Sequence, residues 1–242
     1  TPFDGTKSNT VYDAGVGGLK LSNITITSPS TKATGTYDFV DTLDLGGVFS
    51  LQLKRTFQGA GFFPSSLFDS RTGFVDTWTS WDGDVADEAN AKLAVRTTSD
   101  NPSSSPTYTS FNNLANGSFK GRGFQFRATL ETTDPAQNMN LQQLGYVATL
   151  PSRTEQSAVI ASGTAAKNVS FSHSFFVGTS ALGNLNNFIP AVFISPQNMA
   201  TGDFYELTNI TGSGFTVHFK NNSSASINRN FTYIAVGFGK GG

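Results

Sequence analysis

The sequence predicts an all-β protein of two antiparallel, jelly-roll-like β-sandwich domains with little helix. Apolar and polar residues alternate in many short runs, which is the period of a strand with one buried face, and turn-forming residues separate these runs. The composition agrees, because 22 Phe supply most of the large apolar side chains. A chain rich in Phe, Val and Thr favours sheets over helices.

The length of 242 residues allows one large or two ordinary domains. We expect a connector or stem over residues 1–35, a first sandwich over 36–152 and a C-terminal sandwich over 153–242. The first segment has too little apolar surface for a core of its own, so it is expected to be a connector or an added edge strand. The boundary follows from the polar stretch Pro151–Ser162, which shows no strong period.

The strands of the first sandwich are predicted from four alternating runs, namely Phe49 to Leu53, Leu93 to Val95, Phe124 to Leu130 and Leu144 to Leu150. The first of these is expected to stop where Gly59 and Gly61 interrupt the pattern. One short helix is possible over Val85–Leu93, because the letters ADEANA favour a turn or two of helix.

The last strand has two apolar faces. One face carries Phe231, Tyr233 and Ala235, and the preceding strand carries Phe215, Val217 and Phe219 in the same alternation. Such a strand must be covered on both sides, by its own domain or by another chain. We therefore predict an interface between copies of the chain on the second face, which consists of Thr232, Ile234, Val236 and Phe238.

Composition and charge exclude several functional classes. The chain contains no Cys, so it forms no disulfides and has no thiolate nucleophile or thiolate metal site. Its formal net charge of −1 gives no electrostatic reason to expect nucleic acid as a partner. An extracellular eukaryotic domain of this kind often carries disulfides, so their absence favours a bacterial or viral source.

Metal and catalytic sites have weak signals. The acidic loop with Asp82, Asp84, Asp87 and Glu88 could surround Ca²⁺, but it lacks the full twelve-residue EF-hand pattern and also fits a solvated turn. His173 and His218 stand on separate predicted strands without carboxylate partners and are expected at the surface or an interface. No nucleophile elbow is present. We expect no metal, no cofactor and no enzymatic activity.

Two polar features remain as candidate binding groups. Arg96 and Arg127 point out of the core register of two strands, where they could bind an anion or pair with Asp or Glu across the sheet. The loop between the last two strands is rich in amide and hydroxyl groups, which suit a sugar-binding surface near an aromatic ring, although such a loop also fits a plain hairpin. The candidate ligand-binding residues are Tyr205, Asn221, Asn222, Ser223 and Asn228.

Several longer motifs resemble a block of tail-fibre and host-specificity proteins of tailed bacteriophages. They are WDGD at Trp81–Asp84, VRTTSDNP at Val95–Pro102, GRGFQFRATL at Gly121–Leu130 and QQLGYVATLPSR at Gln142–Arg153. The stretches QNMATGDFYELTNITGSGFTVHFKN and NRNFTYIAVGFGKG are similar to the last domain of such proteins and, more loosely, to H-type lectin domains. The matching motifs span residues 36–242 in the same order.

The resemblance implies a homotrimeric tail fibre of the virion, which contacts other phage tail proteins and a host cell-surface glycan or protein through loops of its tip. Three alternatives remain open. The chain could be a purely structural fibre or decoration protein, an enzyme that trims surface polysaccharide, or a secreted cellular lectin. The resemblance transfers no catalytic or binding residues position by position.

Overall fold

The computed structural model describes residues 3–26, 31–64, 74, 85–179 and 188–241. These residues form seventeen β-strands and no helix, and every strand pairing is antiparallel. The prediction of an all-β, antiparallel sandwich class is therefore confirmed.

The first nine strands are β1 Thr6–Ser8, β2 Thr10–Asp13, β3 Gly18–Leu21, β4 Ala33–Asp38, β5 Leu43–Phe62, β6 Ala89–Thr98, β7 Asn112–Asn113, β8 Gly117–Thr132 and β9 Asn138–Thr149. The remaining eight are β10 Ser152–Gln156, β11 Ile160–Ala161, β12 Lys167–Ser170, β13 Ala191–Gln197, β14 Phe204–Thr208, β15 Gly214–Lys220, β16 Asn230–Phe238 and β17 Lys240–Gly241.

Strands β1–β9 and β17 form one ten-stranded sheet with the main order β1-β4-β8-β5-β9-β3-β2. β8 organises it, because β6 pairs along one of its edges while β4 and β5 pair in succession along the other. The sheet is nearly closed and barrel-like. Its inner face buries the apolar residues of the alternating runs, including Leu51, Leu53, Phe124, Phe126 and Leu130.

Three local expectations concern strands of this sheet. Val85–Leu93 is not helical, because β6 pairs with β8 from Ala89 onward and buries Leu93 and Val95. Gly59 does not end a strand, since β5 passes through it at a bulge and continues to Phe62. Residues 1–35, expected as a connector or edge strand, contribute β1–β3 to the sheet, with Leu19 fully buried.

Strands β10–β16 form the two smaller sheets of the C-terminal sandwich. In one sheet, β16 is central, with β10 and β11 along one edge and β13 along the other. In the second sheet, β15 lies between β12 and β14. The core between the sheets contains the predicted inward residues of the last two strands and is dominated by aromatic rings, namely Phe171, Phe175, Phe215, Phe219, Phe231 and Tyr233.

The C-terminal sandwich contacts the ten-stranded sheet at one end. The Phe176 ring packs edge-on against Phe49 of β5, with ring centroids 5.8 Å apart. After Gly239, which has a φ of 88°, β17 pairs with β5. A side chain at Gly239 would lie 2.7 Å from the Phe49 ring, so this close approach requires glycine. The other end of the sandwich therefore points away from the large sheet.

Candidate recognition loops and assembly face

Three loops meet at the end of the C-terminal sandwich that lies away from the large sheet. They connect β11 to β12 (residues 162–166), β13 to β14 (198–203) and β15 to β16 (221–229). Antiparallel connectivity places them together, because β11, β13 and β15 all run toward this end. We call these segments the distal loops.

Arg229 joins two of the distal loops by an ion pair. Its Nε and Nη2 atoms donate to Asp203 Oδ2 at 2.8 and 2.5 Å, and its Nη1 atom donates to the Asn228 carbonyl. The Asp203 side chain is only 4% exposed. The backbone N–H of Ala200 first, and then Arg229, lower the pKa of Asp203 below its usual value. Both interactions favour the ionised form of Asp203. Because Asp203 then accepts hydrogen bonds from Ala200 and Arg229, it connects the two loops.

Asn228 and Ser162 join the loop between β11 and β12 to the loop between β15 and β16. Its Oδ1 atom accepts from the backbone N–H of Gly163 at 2.8 Å, and the Ser162 hydroxyl accepts from the backbone N–H of Arg229 at 3.0 Å. The predicted binding residue Asn228 therefore acts within the fold. Arg229 and Asp203 were not predicted as part of a site, and their sequence separation gave no signal that they would pair.

The other predicted binding residues fall into two groups. Asn221 Oδ1 accepts from the backbone N–H groups of Ser223 and Ala225, so it shapes the turn. Tyr205 is 39% exposed and packs beside Phe219 at the edge of the core, with ring centroids 5.6 Å apart. Asn222 and Ser223 lie exposed at the turn. Asn222 lies against Gly202 of the loop between β13 and β14, because a Cβ added at Gly202 would lie 2.9 Å from the Asn222 Cβ.

The exposed surface of the distal loops is electrically neutral. Asp203 and Arg229 are the two charged residues in these three segments, and they neutralise each other. The remaining polar groups are amides and hydroxyls. Such a surface can exchange hydrogen bonds with a neutral, hydroxyl-rich ligand, but it offers no unpaired charge to an anionic one.

The outer face of the sheet around β16 is apolar at its centre. The predicted interface residues Ile234, Val236 and Phe238 are 41%, 39% and 41% exposed, and Phe193 on β13 is 61% exposed beside Ile234. The register of β10, β13 and β16 places ten uncharged residues on this face. This assembly face consists of Ser152, Thr154, Gln156, Ala191, Phe193, Ser195, Thr232, Ile234, Val236 and Phe238.

The opposite outer face of the sandwich is mainly polar, with Phe204 as an exposed apolar residue. His218 and Lys220 on β15 stand beside Glu206 and Phe204 on β14, and the Lys220 ammonium contacts both carboxylate oxygens of Glu206 within 2.9 Å. The His218 Nε2 atom lies 2.8 Å from the Ser226 hydroxyl. This contrast between two faces of one sandwich shows that the apolar assembly face is a local feature.

A polar cluster crosses the edge of the sandwich at Glu155. Its carboxylate accepts from the backbone N–H and hydroxyl of Ser172 and from the Tyr233 hydroxyl, each at 2.8 Å. Arg153 lies over the Phe175 ring at 3.8 Å and donates to the His173 carbonyl. Sequence reasoning missed this cluster, because Ser152–Gln156 has no apolar period, although Arg153 and Glu155 do alternate with small polar residues.

The two arginines of the large sheet are held by neighbouring side chains. Arg127 forms a two-point ion pair with Asp38 at 2.5 and 2.8 Å. Arg96 donates to Gln125 and lies 4.7 Å from the centroid of both the Tyr108 and Phe111 rings. Both arginines lie on one face of the sheet. Of the two expected roles, Arg127 has the ion pair across the sheet, so its charge is already paired within the protein.

The acidic loop is described only in part, because Asp82 and Asp84 lie outside the described residues. Glu88 accepts a hydrogen bond from the Thr133 hydroxyl. Within the described ranges, no group of three or more His, Asp or Glu side chains is placed to hold a metal ion. His173 is exposed, and His218 is half-buried on the polar outer face.

Comparison of the chain with protein-family models, with curated proteins and with solved structures finds no match. In the part of the chain that the structure describes, no helix is long and apolar enough to cross a membrane.

Proposed function

We propose that this chain is a non-enzymatic tail-fibre protein of a tailed bacteriophage, which assembles as a homotrimer and binds the host surface through its distal loops. The observation that carries the proposal is the division of the C-terminal sandwich into two surfaces. One is an uncharged, apolar side face suited to assembly, and the other is a hydrogen-bonded loop end suited to recognition. The motif resemblance supports the phage context.

The chemistry of the distal loops supports a glycan as the host ligand. Exposed amides and hydroxyls, including those of Asn222 and Ser223, can pair with sugar hydroxyls, while Tyr205 offers a partly exposed ring close to the same end. The ion pair of Arg229 with Asp203 fixes the loops on a rigid scaffold, which reduces the entropy that binding must overcome. The proposed ligand is therefore a neutral surface saccharide.

A purely structural virion protein is the second candidate. The specific observation in its favour is that Asn221 and Asn228 already use their side-chain oxygens within the fold. In this alternative, the distal loops would only close the end of the sandwich, and the chain would contribute to a fibre without contacting a receptor.

Cell adsorption by the isolated protein distinguishes the two candidates. The labelled protein is incubated with a panel of bacterial strains and with an array of neutral and anionic glycans. Its mass in solution is measured by light scattering. We expect a trimer that binds at least one strain and a neutral glycan. A trimer that binds no strain and blocks no infection supports the structural alternative, and a monomer at micromolar concentration contradicts the assembly.

A further inference from the structure

An apolar recess lies beside the assembly face, where the ten-stranded sheet meets the end of β16. It has a volume of about 290 Å³. Its walls include Leu45 of β5, Ala148 of β9, Leu150, Phe188 and Phe238. Phe238 also belongs to the assembly face, so the recess and the face form one continuous apolar surface.

The assembly face alone is too small for a stable interface, so a trimer would need to bury the recess together with it. The 9 residues of β16 span roughly 30 Å, and three strands about 4.8 Å apart cover a strip of roughly 400 Å². A stable protein interface buries about 800 Å² on each partner. The flat strip therefore supplies about half of the area that a stable trimer needs. The adjoining recess is the apolar surface that can extend it.

The symmetry of a ring determines how copies can use these two features. In a three-fold ring every contact is head-to-tail, so one patch of each copy meets a different patch of the next copy. A projecting group and a matching recess on the same chain satisfy this requirement. Phe193 is one projecting group that meets this requirement, because it is 61% exposed on β13, and β13 pairs only with β16 among the described strands.

We propose that the Phe193 ring of one copy inserts into the recess beside Phe238 of the next copy. The proposal rests on the homotrimer of the proposed function and identifies the contact that forms it. A buried aromatic ring in an apolar pocket is the usual form of an interface residue that dominates affinity. The named walls of the recess and the assembly face carry no charge, so copies can approach without burying an unpaired ion.

The absence of Cys from the sequence permits a direct test by site-specific cross-linking. Phe193→Cys and Ala148→Cys are made in separate chains, because Phe193 and Ala148 are both exposed in one copy. The two proteins are mixed, allowed to exchange subunits in mild denaturant and treated with a short bismaleimide. We expect a cross-linked pair in the mixture and none with Ala148→Cys alone. Phe204→Cys on the opposite outer face is the matched control and should not link to Ala148→Cys.

Two results would overturn this contact. Efficient cross-linking of Phe193→Cys to itself would show that the assembly faces meet two-fold, and a trimer without the mixed cross-link would show that the recess is not the docking site. A monomer by light scattering would instead reject the trimer on which both proposals rest.

A second measurement does not depend on cross-linking. Phe193→Ala should weaken self-association by at least about tenfold, while Phe204→Ala should leave it unchanged. Unchanged association of Phe193→Ala would overturn the proposal. Urea unfolding of the two variants checks that both remain folded, and the exposure of both side chains supports that expectation.

Discussion

The Tyr233 hydroxyl donates a 2.8 Å hydrogen bond to Glu155 Oε1 on the inner side of the C-terminal sandwich. Tyr233 lies on β16, and Glu155 lies on the neighbouring edge strand β10. The same carboxylate accepts two hydrogen bonds from Ser172, which follows β12 of the opposite sheet. One carboxylate therefore links both sheets close to the end that contacts the large sheet.

Removal of this carboxylate should destabilise the sandwich. Glu155→Ala leaves the Tyr233 hydroxyl and the Ser172 N–H without their acceptor, so we expect the free energy of unfolding to fall by about 1–3 kcal/mol. Urea denaturation followed by fluorescence measures the change. Glu206→Ala is the matched control, because Glu206 pairs with Lys220 at the surface, and its unfolding midpoint should hardly move. Equal effects of the two substitutions would argue against a structural role for Glu155.

Acid should remove the contribution of Glu155. Burial alone would raise its pKa, but hydrogen bonds from Ser172 and Tyr233, together with Arg153, outweigh burial and lower the pKa below the usual 4.5. The stabilisation is therefore present above pH 4.5 and is lost as the pH falls through the lowered value. Unfolding measured across this range should show a steeper loss in the native protein than in Glu155→Ala. Parallel curves would contradict the prediction.

Alkali should weaken the same hydrogen bond by removing the proton of its donor, the Tyr233 hydroxyl. Burial and the neighbouring Glu155 raise the pKa of Tyr233 from 10.0 to about 12. The unfolded chain then loses this proton first, so the stabilisation is present below pH 10 and is lost as the pH rises toward 12. The Tyr233→Phe variant should lose less of its free energy of unfolding between pH 10 and 12 than the native protein does, because it has no hydroxyl at this position. Unfolding in urea at several pH values in this range measures the difference. Tyr37 and Tyr146, whose pKa values burial also raises, remain in the variant as an internal reference.

Two adjacent asparagines of the distal loops should behave differently. Asn221→Ala removes the acceptor for two backbone N–H groups, so it should lower thermal stability. Asn222→Ala exposes no such donors and should retain stability while it reduces adsorption to host cells. Thermal unfolding and cell binding are measured on both variants. Full adsorption by Asn222→Ala would exclude its side chain from the binding surface.

A charge on the assembly face should separate the copies. Val236→Asp places a carboxylate at the centre of the apolar strip, and burial of that charge without a partner would be unfavourable in an interface. We expect a monomer by light scattering with a nearly native circular dichroism spectrum. Thr208→Asp on the polar outer face is the control and should retain the trimer. An intact trimer of the Val236→Asp variant would show that the assembly face is not buried between copies.

Some strand predictions failed at particular residues for an identifiable reason. Gly59 is required inside β5, because a Cβ there would lie 2.5 Å from the Met139 side chain and 2.9 Å from the Asn140 carbonyl. The sequence does not distinguish a glycine that permits close packing within a strand from a glycine that ends one, so the end of β5 was predicted too early. The letters ADEANA likewise favour helix locally, but pairing of Ala89 and its successors with β8 outweighs that preference.

The sequence by itself determined the all-β class and the inner and outer faces of the last strands, because alternation along one strand reports directly which side chains are buried. The alternation along β16 predicted two apolar faces. The structure buries Phe231, Tyr233 and Ala235 in the core of the sandwich, and it leaves Ile234 and Phe238 of the second face each 41% exposed in the single chain. Tertiary structure alone decided the pairs that join distant segments, such as Arg229 with Asp203 and Tyr233 with Glu155. These pairs depend on loop positions and strand register, which residue periodicity does not encode.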